Sequence, residues 1–294
     1  PGDGRGEIWR SRDARRVPEL DRRIAKVTRR ENHMKRWMFH GTIGILLAAG
    51  ALTSAPRADA QTLMEFSAEA RFQLDLHVPD AALASMLPPG FTPNVATQGP
   101  AKDCNLRVIF VDRMTINGPD GKPVGRGASR MVYLAAPVKD PSGANAQVVI
   151  GGLVDDPADA PGSLGVYLAA TTTHTMQRTT TSTGTGPVID SQDWVFHAPT
   201  GEHLELHIKY DHGIANKGNP SEGKFYSAKN PGTVQIWRQE QVLDILRNAT
   251  TNPPDRVREF SFRGAGGSFA KLFDGTEKLV SWDNVIWLNR QILQ

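Results

Sequence analysis

Cysteine is almost missing from this chain of 294 residues: Cys104 stands alone, so no intrachain disulfide can form. Stability must come from burial rather than from cross-links. An isolated small core residue is the ordinary role for such a thiol, with a nucleophile as the alternative. No apolar run reaches the roughly 20 residues of a membrane-spanning helix. Nucleophile-elbow, phosphate-loop, dinucleotide and zinc-ribbon patterns are also absent, and the Gly-rich RGAGGSFAKLFDG at 263–275 lacks the strand-to-helix setting of a phosphate loop. It reads as a tight connection between strands. Between Lys139 and Lys209 there is no lysine at all.

The charge that is present is unevenly distributed. Residues 1–60 carry 13 Lys+Arg against 7 Asp+Glu, leaving 21 and 24 of the chain's 34 and 31 for residues 61–294. The basic isoelectric point therefore belongs to the leader. The remaining body has no bias toward nucleic acid or anionic membranes. Within the leader, Lys35 and Arg36 precede an apolar run from Phe39 to Leu52 and a small-x-small site at Ala58-Asp59-Ala60. That is the pattern of a cleaved signal peptide over 34–60. It predicts export to a bacterial periplasm or medium, with no stable membrane span after cleavage. Residues 1–33 then read as an upstream extension with no structural role, and residues 61–294 as one β-barrel domain.

From Phe66 to Val78 apolar residues alternate with Glu65, Glu69, Arg71, Asp75 and other polar ones, the period of a long half-buried strand. PDAALASMLPPG follows as a short helix stopped by Pro88-Pro89-Gly90. Strand patterns recur at 105–116, 129–138, 146–154, 193–198, 203–212, 258–264 and 277–293, separated by Gly, Pro and Asp turns. RQEQVLDILRNA (238–249) predicts a helix, with Val242, Ile245 and Leu246 on one side. The threonine tract at 165–181 predicts a strand or bent hairpin, because threonine is β-branched and stiff where linkers need Gly and Ser. On period 2 it places Thr172, His174, Met176 and Arg178 on one face, either a pocket wall for a small anion or a solvated surface. The fold class is mainly β with a few short helices.

The order of four segments resembles the acetoacetate decarboxylase-like superfamily: HVPDAALASMLPPGFTP, NLRVIFVDRM, LAAPVK at 134–139 and LVDDPADAPG. Together they span about residues 66–182. The resemblance implies a single antiparallel β-barrel around a pocket for a small organic or keto acid, with a possible homo-oligomer. It also implies a Schiff-base lysine, kept neutral by desolvation and a neighbouring cation. That lysine pair should fall near Ala170-Thr171, where none exists, and the acidic residue expected before the Ala-x-Pro-Val strand is replaced by Ser129 and Arg130. The expectation is a barrel that binds or converts an acid without Schiff-base chemistry. Arg71 matches the substrate-binding arginine that the resemblance implies, and Arg130, His174 and Arg178 complete the candidate ligand-binding set. No cofactor is expected on this reading. A competing reading takes His203, Glu205 and His207, on one face of a strand, as zinc ligands of a metal-dependent lyase or hydrolase. A non-catalytic envelope protein is the third.

Overall fold

The alternation around Phe72 becomes β1 (Leu63–His77), and the following segment becomes the short helix α1 (Asp80–Ala84). A computed structural model describes residues 61–180, 186–246 and 255–294. The export signal and the leading extension lie outside the described residues. β2 (Thr92–Pro93), which no strand pattern marks, comes next, and then β3 (Leu106–Asn117), β4 (Ser129–Lys139) and β5 (Asn145–Val154) in the segments where strand periodicity places them. They are followed by β6 (Tyr167–Ala169), β7 (Thr171–Thr179), β8 (Ile189–His197) and β9 (His203–Asp211). The chain ends through β10 (Asn216–Lys217), β11 (Ser221–Ser227), β12 (Val234–Leu246), β13 (Val257–Ala265) and β14 (Lys278–Leu293).

Seven of these close into a barrel in the order β4-β3-β1-β14-β12-β11-β5, with β5 returning to β4. The barrel is mixed, not antiparallel throughout: β11 runs parallel to β5, and so does the short added strand β6. A separate antiparallel sheet, β13-β9-β8-β7, packs on its outside. The threonine tract supplies one strand to each sheet. β6 pairs with β5, the chain turns at Ala170, and β7 pairs with β8.

The helix expected at 238–249 is a strand as far as the described residues extend. β12 pairs with β11 on one side and β14 on the other. Its i, i+3, i+4 apolar spacing is real but incidental. Two flanking ladders satisfy the backbone, and tertiary pairing overrides a modest local preference.

Two cores result. Phe72, Leu74, Val108, Phe110 and Leu134 on the barrel's outer wall meet Trp194, Phe196, Leu206 and Tyr210 from the second sheet. Phe110 sits about 6 Å, centroid to centroid, from both Trp194 and Phe196. Each such fully buried side chain contributes about 1.5–3 kcal/mol. Ile109, Val111, Met131, Tyr133, Val149, Phe225, Trp237 and Ile292 form the other core, drawn from barrel strands and facing its interior. Both faces of β1, β3 and β4 are therefore covered.

Close approach dictates one glycine in β5. A Cβ on Gly152 would lie 2.6 Å from the Val132 carbonyl oxygen and 2.8 Å from the Tyr167 ring. Gly152→Ala should cost about 1–3 kcal/mol. Thermal unfolding should show the melting temperature falling by several degrees.

Candidate functional site

Because β1 alternates strictly and its apolar side faces the second sheet, its polar side turns into the barrel. Glu65, Ser67, Glu69 and Arg71 are all buried there, joined by Arg113 from β3 and Arg290 from β14. Glu69, with no exposed surface, is the hub. It accepts from Ser67 Oγ at 2.6 Å and from Arg71 Nε at 2.6 Å, and Arg290 Nη2 lies 2.7 Å away. Burial alone would raise the Glu69 carboxyl, but Arg290, Arg71 and Arg113 outweigh it and hold the pKa at about 2. Glu65 pairs with Arg113 and is shifted upward, because burial there exceeds the attraction of Arg113 and Arg290.

The interior thus holds three buried guanidiniums, Arg71, Arg113 and Arg290, with three buried carboxylates on the inward face of β1, Glu65, Glu69 and Asp75. Arg71 Nη2, Arg113 Nε and all three Arg290 nitrogens have no hydrogen-bonding partner of proper geometry, though ion-pair contacts surround them. Arg290 also lies 4.3 Å over the Trp237 ring, a cation–π contact. Buried donors without an aligned acceptor are costly, so a group that can accept from them is favoured.

A cavity of about 400 Å³ opens at the Arg71 end of this network. Tyr133, Trp237 and Phe225 form its aromatic side; its charged lining is Arg71 and Arg107 with Asp75, Glu222 and Asp283, and Gln73, Gln239 and Gln241 add amides. Arg71 is oriented by Glu69 through Nε and by Tyr133, whose hydroxyl accepts from Nη1 at 3.3 Å. Asp75 is already occupied: Gln73 and Ser281 donate to it at 2.9 and 2.8 Å, and Arg107 lies 3.6 Å away. No lysine lines this cavity, and no lysine among the described residues is buried.

Of the four arginine and histidine candidates, Arg71 alone enters the barrel. Arg130 and His174 meet on its outer wall, both against Asp112 at 3.4 and 3.3 Å. His174 stacks on Trp194 at 3.5 Å between centroids. Arg178 is committed to Asp190, donating from Nε at 2.7 Å and Nη2 at 2.9 Å. His174 and Arg178 border a cavity of only about 90 Å³ between the second sheet and β1 and β14, which Arg71 also lines.

The proposed zinc ligands His203, Glu205 and His207 do share a face of β9, but two of them are paired with other side chains. His207 Nδ1 lies 2.7 Å from Asp193, and Glu205 lies 2.8 Å from His197. Successive same-face residues on a strand stand nearly 7 Å apart. Among the described residues, no three His, Cys, Asp or Glu side chains are grouped to hold a metal. The Cys104 thiol is buried and pushed up to about 12 by desolvation, which is the state of a core residue rather than a nucleophile.

Glu65, Glu69, Arg113 and Arg290 escaped the sequence reading because charged residues at period 2 look like a solvated face. A signal did exist. NLRVIFVDRM runs apolar without a break from Val108 to Val111, which requires burial on both faces of the strand. Its charged residue Arg113 then had to point inward.

In structure, the chain is similar to acetoacetate decarboxylase-like enzymes. The enduracididine biosynthesis enzyme MppR, solved with the condensation product of pyruvate and imidazole 4-carboxaldehyde, is 12% identical. That match covers 79% of this chain and 87% of the enzyme, with a TM-score of 0.49. An acetoacetate decarboxylase-like enzyme from Sphingomonas wittichii RW1 is 13% identical over 78% of this chain and 90% of its own, with a TM-score of 0.46. An acetoacetate decarboxylase is 11% identical over 79% and 87%, with a TM-score of 0.45. No family model and no curated protein matches the chain.

Proposed function

We propose that this is an exported barrel protein that binds, or converts without a Schiff base, a small organic acid in the mouth of its barrel. Arg71 takes the carboxylate. The observation that carries this reading is a cavity of about 400 Å³ lined by the buried Arg71, whose Nη2 lacks a well-aligned hydrogen-bond acceptor. A carboxylate entering there supplies an acceptor for the unaligned Nη2 of Arg71. The Nε and Nη2 of Arg71 already approach Glu69, at 2.6 and 2.5 Å, so the ligand would meet the outward hydrogens of Nη1 and Nη2 in a charge-assisted pair.

The non-Schiff-base part of the proposal rests on the lysines. A nucleophilic amine must shed its proton near neutral pH, which takes desolvation or a neighbouring cation. Every lysine among the described residues remains at least partly solvated.

Thermal unfolding in a panel of small carboxylic acids, pyruvate and acetoacetate included, tests the binding reading. At a ligand concentration one hundred times Kd the expected stabilisation is about 2.7 kcal/mol, a rise of several degrees. No stabilisation by any acid in the panel would overturn it. Borohydride treatment in the presence of acetoacetate should leave the protein mass unchanged. A covalent adduct on a lysine would contradict the proposed chemistry.

A further inference from the structure

The cavity beside Arg71 holds an unusual concentration of one side chain. Gln73, Gln147, Gln239 and Gln241 all line it, contributed by β1, β5 and β12. Gln147, Gln239 and Gln241 make no side-chain hydrogen bond to any described residue, and all three are half-buried. Their amides are thus free to meet a ligand.

On the reading that Arg71 anchors a carboxylate, we infer that the acid is polyhydroxylated, of the sugar-acid class. A primary amide presents two donor hydrogens and one acceptor oxygen. A hydroxyl group, which is both donor and acceptor, can satisfy both ends of it. The keto group of a short oxo acid only accepts, and an alkyl chain does neither. An apolar acid would desolvate these amides without replacing their water, a cost of about 1–3 kcal/mol for each group left unpaired. Size points the same way. About 400 Å³ lies within the ordinary range of small-molecule pockets and exceeds what a three- or four-carbon acid needs. Ile109, Leu243 and Val285 leave enough apolar wall for the C–H faces of a carbon chain.

Calorimetric titration of the protein with four probes tests this: gluconate, hexanoate, pyruvate and glucose. Gluconate should bind at least about tenfold more tightly than hexanoate or pyruvate, since each satisfied amide contributes about a factor of ten. Glucose, lacking the carboxylate, should bind at least about tenfold more weakly than gluconate. The double variant Gln239→Leu/Gln241→Leu should lose about tenfold or more for gluconate while keeping its affinity for hexanoate. Gln147→Leu, on a different strand, should show the same selective loss.

Hexanoate or pyruvate binding as tightly as gluconate would overturn the polyhydroxylated class and leave the carboxylate site standing. Glucose binding as tightly as gluconate would remove the carboxylate anchor. Failure of every acid to bind would remove the site itself.

Discussion

Replacing Glu69 with alanine should destabilise the fold by about 3–5 kcal/mol, the usual cost of removing one partner from a buried ion network. The variant leaves Arg71, Arg113 and Arg290 inside the barrel with Glu65 still paired to Arg113 and Arg290 but not to Arg71, and the Ser67 hydroxyl loses its acceptor. Glu69→Gln keeps the volume and part of the hydrogen bonding, so it should fall between wild type and alanine. Urea unfolding checks both: the midpoint should drop while the slope stays constant. The same carboxylate predicts a pH dependence. Its folded pKa of about 2 lies below the ordinary 4.5. The associated stability is fully present above pH 4.5 and disappears as the pH falls toward 2. The size is about 3 kcal/mol, from a shift of roughly two units or slightly more. Glu65, shifted upward by burial, acts in the opposite sense and softens the limb. Glu69→Gln should flatten the acid limb that wild type shows.

Arg71→Met should weaken carboxylate binding by about 10- to 100-fold, corresponding to hydrogen bonds with a charged partner worth about 1.5–3 kcal/mol. Methionine retains much of the stem packing but no donor. Arg71→Lys should retain part of the affinity, since an ammonium supplies charge without the planar fork. Arg178→Ala should leave the affinity unchanged, because Asp190 already takes its guanidinium and it faces the outer wall. Isothermal titration of the three variants with the best acid from the stabilisation panel reads these differences directly.

Much of the barrel is legible in the sequence, and the reasons differ from strand to strand. β1 announces itself because its two faces differ chemically over many residues. What alternation cannot say is which side faces water. For β1 neither does: the apolar side meets the second sheet and the charged side closes on the barrel interior. In β12, Val242, Ile245 and Leu246 fit one helix face, so local spacing points to the wrong element. The inward series Gln235, Trp237, Gln239 and Gln241 is mostly polar and hides the period of a strand. β11, SEGKFYS, is short and holds a glycine, and its parallel contact with β5 spans a long stretch of chain that no local pattern reports. At the site, Arg71 was visible through its place in a segment resembling known relatives. Arg113 and Arg290 were not, since only barrel closure brings β3, β1 and β14 side by side.

The most direct test of an anion site in the barrel mouth is a crystal grown with a brominated carboxylic acid, the halogen located by anomalous scattering. The predicted result is a bromine peak inside the barrel near Trp237 and Tyr133, with the carboxylate on Arg71. A peak between the two sheets beside His174 and Arg178, with the barrel cavity holding only solvent, would contradict it.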